Sequence, residues 1–302
     1  MKKFLALFLA GVLAMSLLTA CGGKDAAQTD SGNNEVEDTA QPEADAAQPE
    51  TDETEDAAQP ETNEAQDGTE DRAGSEAIAD GVLTVGTNAE FPPFEYVGDD
   101  GQPDGFDVAL IKAIGEKLGV QVEVENMEFD SLVASIGNKI DVAIAGMTVT
   151  EERKNSVDFS DAYYDALQYV IVPEGSEIAT FDDLAGKTIG VQLGTTGDFI
   201  ASDDVDGASV SQYNKAVDAV NDLINGRVDC VIIDKNPALV FEEKFAGQVK
   251  ALDGAQFNFE VENYAIALPK GDTALAEQIN TALQEIKADG TFDKLVEEYI
   301  GQ

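Results

Sequence analysis

The chain of 302 residues carries 60 acidic against 18 basic side chains and no histidine, a formal net charge of −42 at pH 7. So large an anionic excess excludes nucleic acid and anionic lipid headgroups as partners, because both are held by cationic side chains. The lack of histidine excludes Ser-His and Cys-His nucleophile pairs and histidine-ligated zinc, and no cofactor or metal is expected.

Residues 1–20 follow the plan of a secretory signal. Lys2 and Lys3 form a positive start, Phe4 to Leu18 is nearly unbroken apolar sequence, and Thr19-Ala20-Cys21 follows. The apolar run is shorter than the roughly 18–20 residues that span a bilayer comfortably. A small residue directly before Cys21 is similar to the lipobox of bacterial lipoproteins, which implies that Cys21 becomes an acylated first residue. Residues 21–76 then read as that lipidated cysteine and a disordered acidic tether. Asp and Glu alternate there with Ala, Gln, Thr and Pro, the string AAQPE recurs, and Val36 is the only branched aliphatic in residues 22–76. Such a composition buries too little apolar surface to offset its ordering entropy, and its like charges extend it.

The remainder, from about Ala77 to Gln302, allows one large domain or two small ones. With Cys21 assigned to the anchor, Cys230 has no disulfide partner. It lies in the apolar run Val228 to Ile233 and reads as a small buried hydrophobe. The spacing predicts a strand over Val82–Gly86, a helix over Phe106–Leu118, a strand over Val120–Val124, a short helix over Asp130–Ile136 and a strand over Ile140–Ala145. A helix opens at Thr150-Glu151-Glu152, where Thr150 can cap it and the acids suit its positive end. Strands follow at Tyr169–Val172, Thr188–Gln192 and Val228–Ile233, and helices at Ala216–Ile224, Asn236–Phe245, Thr273–Ala288 and Phe292–Tyr299. This βα alternation predicts an α/β protein with mainly parallel sheets covered by helices, and ligands of such sheets sit beyond the carboxyl ends of the strands.

Three predicted strand ends carry groups suited to a small zwitterion. The first is Ala145-Gly146-Met147-Thr148, followed by Arg153, whose planar fork matches a carboxylate. The second, Gln192-Leu193-Gly194-Thr195-Thr196, is a turn ending in hydroxyls and N–H groups that favour an anion. The third is Asp234, directly after Ile233, where a carboxylate could take an ammonium group. A helix-capping threonine or a surface arginine explains any one of these alone; together they describe an α-carboxylate clamp with an ammonium acceptor. Gly186-Lys187-Thr188 and Asp204-Val205-Asp206-Gly207 imitate phosphate and calcium loops, but Phe181 and Tyr213 stand where the first glycine and the bidentate glutamate should be.

The segments GTNAEFPPFEY (Gly86–Tyr96), GFDVALIKAIGEKLG (Gly105–Gly119), IDVAIAGMTVTEERKNSVDFSDAYY (Ile140–Tyr164), DDLAGKTIGVQLGTTGD (Asp182–Asp198), RVDCVIIDKNPALVF (Arg227–Phe241) and YAIALPKG (Tyr264–Gly271) resemble, in order, the polar amino-acid-binding proteins of ABC importers. The resemblance implies a two-lobed type II periplasmic-binding-protein fold with two hinge strands, near Tyr169–Pro173 and Glu262–Pro269. Lobe one would be 77–172 plus 264–302 and lobe two 173–263. It implies further that Arg153 grips a ligand carboxylate with help from Thr148 and backbone N–H groups near Gly146 and Thr195 or Thr196. Asp234 would take the ammonium, while Phe91 and Phe129 stack on the aliphatic part. Asn88 replaces an aspartate common in relatives, and Gln192 falls where some have lysine.

The implied partners are a free amino acid and an ABC permease in the membrane, with the protein a monomer on the extracytoplasmic face and touching the membrane only through its lipid. Glu90, in the segment resembling the side-chain pocket wall, has no Lys or Arg within ten residues. If it faces the cleft it favours a cationic ligand, arginine or lysine; if it faces water, Asn88 and Gln192 favour glutamine or another neutral polar amino acid. A dehydratase-type enzyme on the same fold is the rival reading, and a sensor would need a signalling segment that is not read in these residues.

Cys21→Ala should release the protein from the membrane fraction, whereas retention after a salt wash would overturn the anchor. Removing residues 22–76 should leave ligand affinity unchanged in calorimetric titration.

Overall fold

The structure is a computed structural model that describes residues 75–301; the signal segment, Cys21 and the tether through Gly74 lie outside the described residues. Packing reaches back to Ser75, two residues ahead of the expected start at Ala77. The Ser75 hydroxyl donates to Asp272 Oδ2 at 2.6 Å, and its N–H donates to Gln278 Oε1 at 3.3 Å.

Strand β1 (Val82–Thr87) begins the first lobe. A small antiparallel sheet of β2 (Glu90–Phe91), β3 (Glu95–Val97) and β4 (Pro103–Asp104) leads into α1 (Phe106–Leu118). Gly105 precedes α1 at φ 121°, where a β-carbon would collide with the Phe94 carbonyl; Gly119 closes the helix in the left-handed region. Then come β5 (Gln121–Asn126), α2 (Leu132–Ser135), β6 (Val142–Ala143), α3 (Glu151–Lys154) and β7 (Val157–Phe159). The long strand β8 (Tyr164–Pro173) leaves this lobe. The second contains β9 (Thr188–Gln192), α4 (Thr196–Phe199), β10 (Ser209–Tyr213), α5 (Ala216–Ile224), β11 (Cys230–Asp234), α6 (Lys235–Lys244) and β12 (Val249–Leu252). Strand β13 (Val261–Tyr264) returns the chain to β14 (Ala267–Pro269), α7 (Thr273–Ala288) and α8 (Thr291–Leu295).

The first sheet runs β5-β1-β6-β14-β7 and the second β10-β9-β11-β8-β12. In each, the second strand in this order joins both its neighbours in parallel, β1 with β5 and β6, β9 with β10 and β11. Antiparallel pairing enters with the crossing strands and β14. The first half of β8, Tyr164–Leu167, pairs antiparallel with β13, and its second half pairs with β11 and β12. Strands β8 and β13 therefore form a two-stranded bridge between the lobes, and its first strand crosses at Tyr164–Leu167 rather than near Tyr169–Pro173, because Gln168–Pro173 already pairs within the second sheet.

Helices α1 and α7 bury Leu110, Ile111, Ile114, Leu275, Ile279 and Leu283 in one core with Leu83 and Val85, while α5 buries Ala219, Val220 and Leu223 with Val231 and Ile233. Two departures from the periodicity have local causes. Strand β6 is shorter than Ile140–Ala145, because Ile140 pairs with Ile136 and Ala145-Gly146 turns away from the sheet. Strand β8 begins at Tyr164 rather than Tyr169, since its first half carries exposed Asp165 in the crossing and breaks the apolar pattern. Among the described residues no helix is long and apolar enough to cross a membrane.

Candidate functional site

The carboxyl ends of β1, β6, β9 and β11 converge on one small cavity between the lobes. From the first lobe come Asn88, Phe91, Phe129, Gly146, Thr148 and Arg153; from the second, Gln192, Thr195, Thr196 and Asp234. The structure thus brings together ten of the residues singled out in the sequence.

Arg153 is placed by its short helix. The Thr150 hydroxyl accepts the Arg153 N–H at 3.1 Å and caps α3, which points the side chain into the cleft. Arg153 is only 7% exposed. It donates through Nη1 to the Thr148 carbonyl at 2.6 Å and through Nη2 to the Gly194 carbonyl at 3.0 Å, one in each lobe. Its fork carries five N–H groups, so donors remain. Its carbon lies 5.3 Å from the Phe129 ring centre. Burial lowers its pKa to about 10, opposed by Glu262 and Asp234, and it stays cationic at neutral pH.

Asp234 ends β11, buried, with Oδ1 accepting the Tyr264 hydroxyl at 2.6 Å. Burial, and next the negative charge of Glu262, push its pKa up to about 7. Gly146 adopts φ +52°, and a β-carbon there would meet the Phe91 ring at 3.0 Å. Its N–H donates to Asp107 Oδ2 at 2.7 Å, and the Tyr163 hydroxyl donates to the same oxygen at 2.7 Å. The backbone donor expected at Gly146 is therefore already engaged. Behind it, Glu95 is fully buried with no N–H or hydroxyl donor for either oxygen. Burial and the adjacent Asp107 raise Glu95 well above the carboxylate range, while burial takes Asp107 to about 6. Protonated Glu95 donates to Asp107, and this acid pair anchors the Gly146 turn.

At the far end of the cavity, Gln192 Nε2 donates both its protons, to Asn88 Oδ1 at 2.8 Å and to the Asn214 carbonyl at 3.1 Å. Asn88 Nδ2 donates to the Met127 carbonyl at 2.8 Å. The carbonyl acceptor at Asn214 fixes the amide orientation, so Gln192 has only its oxygen to offer a ligand. The Thr195 hydroxyl is held locally, donating to the Gln192 carbonyl at 2.8 Å and accepting the Asp198 N–H at 3.3 Å.

Two expected residues do not line the cavity. The Met147 side chain is fully buried in a core with Leu132, Ile140 and Val157, on the other face from Gly146 and Thr148. Glu90 meets Lys215, from the second lobe, at 2.6 Å. A cation distant in sequence thus neutralises Glu90, so its charge does not call for a cationic ligand. Conversely, Glu262 and Tyr264 were not singled out. Glu262 accepts a hydroxyl hydrogen bond from Thr148 and another from Thr196 Oγ1, at 2.8 Å. Period-two alternation in Val261-Glu262-Asn263-Tyr264 was the available signal, since it sets both residues on one face.

Two lobes joined by a pair of crossing strands, contributing polar groups to one cavity between them, define a binding protein that closes on a small solute. The chain belongs to the bacterial extracellular solute-binding proteins, family 3, whose model matches residues 83–302. It is 36% identical over 229 residues to the L-arginine-binding protein of Pseudomonas aeruginosa, covering 73% of this chain and 88% of that one. It is 35% identical over 224 residues to the L-cystine-binding protein of Escherichia coli, covering 73% and 83%. A solved structure of an ancestral arginine-binding protein bound to arginine is 44% identical, with a TM-score of 0.68, covering 73% of this chain and 98% of that one.

The raised acids give pH dependence a definite sign. The folded protein holds protons on Asp107 and Asp234 that an unfolded carboxyl releases near 3.8. Their stabilising contribution is complete below that value and is lost as pH rises through about 6 and about 7. The melting temperature of the protein without added ligand should therefore carry a component that declines between about pH 4 and pH 7. If Asp234 accepts a ligand's ammonium group, binding should weaken toward tenfold per unit as pH falls below about 7. Titration calorimetry with melting curves across that range checks both, and an affinity independent of pH would detach Asp234 from the ligand.

Proposed function

We propose that this protein closes its lobes around a free α-amino acid on the extracytoplasmic face and passes it, chemically unchanged, to an ABC permease. It acts as a monomer held to the membrane by lipid on Cys21. The observation that carries this reading is the meeting of buried Arg153 from one lobe with buried Asp234 from the other in a single cavity. The remaining guanidinium donors would grip the α-carboxylate and Asp234 the α-ammonium, with Phe91 and Phe129 against the aliphatic part. Burial pushes the Cys230 thiol up to about 12, so it stays protonated and offers no nucleophile.

The preferred ligand is arginine or lysine. Support comes from Gln192, whose amide protons are both engaged, so that it has only an acceptor oxygen to turn to a ligand. The carboxylates of Asp234 and Glu262 outnumber the one guanidinium beside them. Arginine is also what one of the relatives and the solved structure are named for. The Glu90–Lys215 pair favours the second reading, glutamine or another neutral polar amino acid, because it removes a negative charge from the cationic case.

Arg153→Ala should abolish binding while leaving the fold intact, since removing one partner of a buried pair costs roughly 3–5 kcal/mol; an affinity within threefold of the parent would remove Arg153 from the site. To rank ligands, arginine, lysine and glutamine are compared by melting shift at equal concentration, a ligand present at 100 times its dissociation constant adding about 2.7 kcal/mol. Arginine or lysine should lead, and Gln192→Lys should reverse the order in favour of glutamine. Glutamine leading in the parent would sink the cationic assignment, and recovery of an altered ligand would sink the transport reading.

A further inference from the structure

Glu262 lies in β13, one of the two bridging strands, and its half-buried carboxylate touches both lobes at once. One oxygen, Oε2, accepts the hydroxyl protons of Thr148, in the first lobe, and of Thr196, in the second. A threonine hydroxyl has one proton and two lone pairs. With both protons drawn to Glu262, neither hydroxyl can donate to a ligand carboxylate. Thr196 Oγ1 also accepts the Gln168 Nε2–H at 3.0 Å, which leaves it one lone pair. Both threonines line the cavity, so what they turn to a ligand is acceptor oxygen. Asp234, close enough to Glu262 to feel its charge, adds another acceptor.

We infer that Glu262 is a positioning residue for ligand recognition: by fixing the Thr148 and Thr196 hydroxyls as acceptors, it makes them, with Asp234, a corner that selects for an ammonium group. This corrects the expectation that Thr148 helps Arg153 with the carboxylate. Because the two hydroxyls come from different lobes, the corner exists only when the lobes meet. The inference rests on the amino-acid reading above and adds a residue and a chemical role to it.

The test compares arginine with its des-amino analogue, δ-guanidinovalerate, in the purified protein. The parent should prefer arginine strongly. Glu262→Met keeps the length but removes the one oxygen that accepts both threonine protons, so both hydroxyls are released to donate. The ratio of the two affinities should fall about tenfold or more, with the carboxylate-dependent affinity for the analogue retained. Equal weakening of both ligands would mark Glu262 as merely structural, and an unchanged ratio would exclude it; either result overturns the inference. Should Glu262→Met fail to fold, Thr148→Val and Thr148→Ser decide the matter. Valine should lower the ratio and serine preserve it, whereas a ratio that survives valine overturns the inference. A parent that prefers glutamine is tested with glutamine and glutaramate in the same way, so an error in ligand identity leaves a distinct signature. A parent that binds no amino acid removes both the functional reading and the inference.

Discussion

A guanidinium taken out of water between two lobes is the constraint on which the cleft depends. Desolvating a cation costs several kcal/mol unless hydrogen bonds and opposite charge replace its hydration. Arg153 meets that demand in part with the carbonyls of Thr148 and Gly194, one from each lobe, and in part with the field of Glu262 and Asp234. None of the four groups is near Arg153 by strand pairing alone. They arrive because β6, β9, β11 and β13 end or cross at the same place. The fold thus supplies convergence, and the buried charge makes the convergence specific.

How much of this could be read in advance depended on the range of the interaction. Helix α1 was legible because Phe106, Leu110, Ile114 and Leu118 repeat along one face and Gly119 stops them. The Thr150 cap of α3 was legible because its partner lies three residues away. The edge strand Ser209–Tyr213 was not, since its alternation is nearly all polar and only pairing with β9 defines it. In the site, Arg153, Asp234 and the Gly146 turn stood out through their positions at strand ends. The Glu90–Lys215 pair, separated by 125 residues, had no local signature, and Glu90 consequently looked like an unpartnered acid. Met147 was grouped with its neighbours because a residue between two cavity-facing ones is not told apart by motif, only by the face its side chain takes.

The arrangement is layered behind the cavity. Phe91 touches Gly146, Gly146 hangs from Asp107, and Asp107 shares a proton with Glu95, with Tyr163 completing the set. On the other side Tyr264 joins Asp234 to the hinge strand that carries Glu262. Hydrogen bonds in such dry networks are stronger than in water and costly to leave incomplete. The surfaces a solute meets are therefore held by groups it never touches, and these belong to the small β2–β4 sheet, α1 and the hinge as much as to the strand ends.

The contact between Glu90 and Lys215 has a different character from everything inside the cleft. It ties lobe to lobe at the rim, with side chains 25% and 45% exposed. Exposed pairs of this kind are weak and screened by salt, with a Debye length near 8 Å at physiological ionic strength. The buried contacts of Arg153 and Asp234 are screened far less. Closure is consequently held by two sets of contacts with different sensitivity to the surroundings, and a rise in external salt would loosen the rim while leaving the floor of the cleft in place. For a protein working outside the cytoplasm, where ionic strength is not regulated by the cell, the rate at which the lobes part would follow the medium, whereas the identity of what they hold would not.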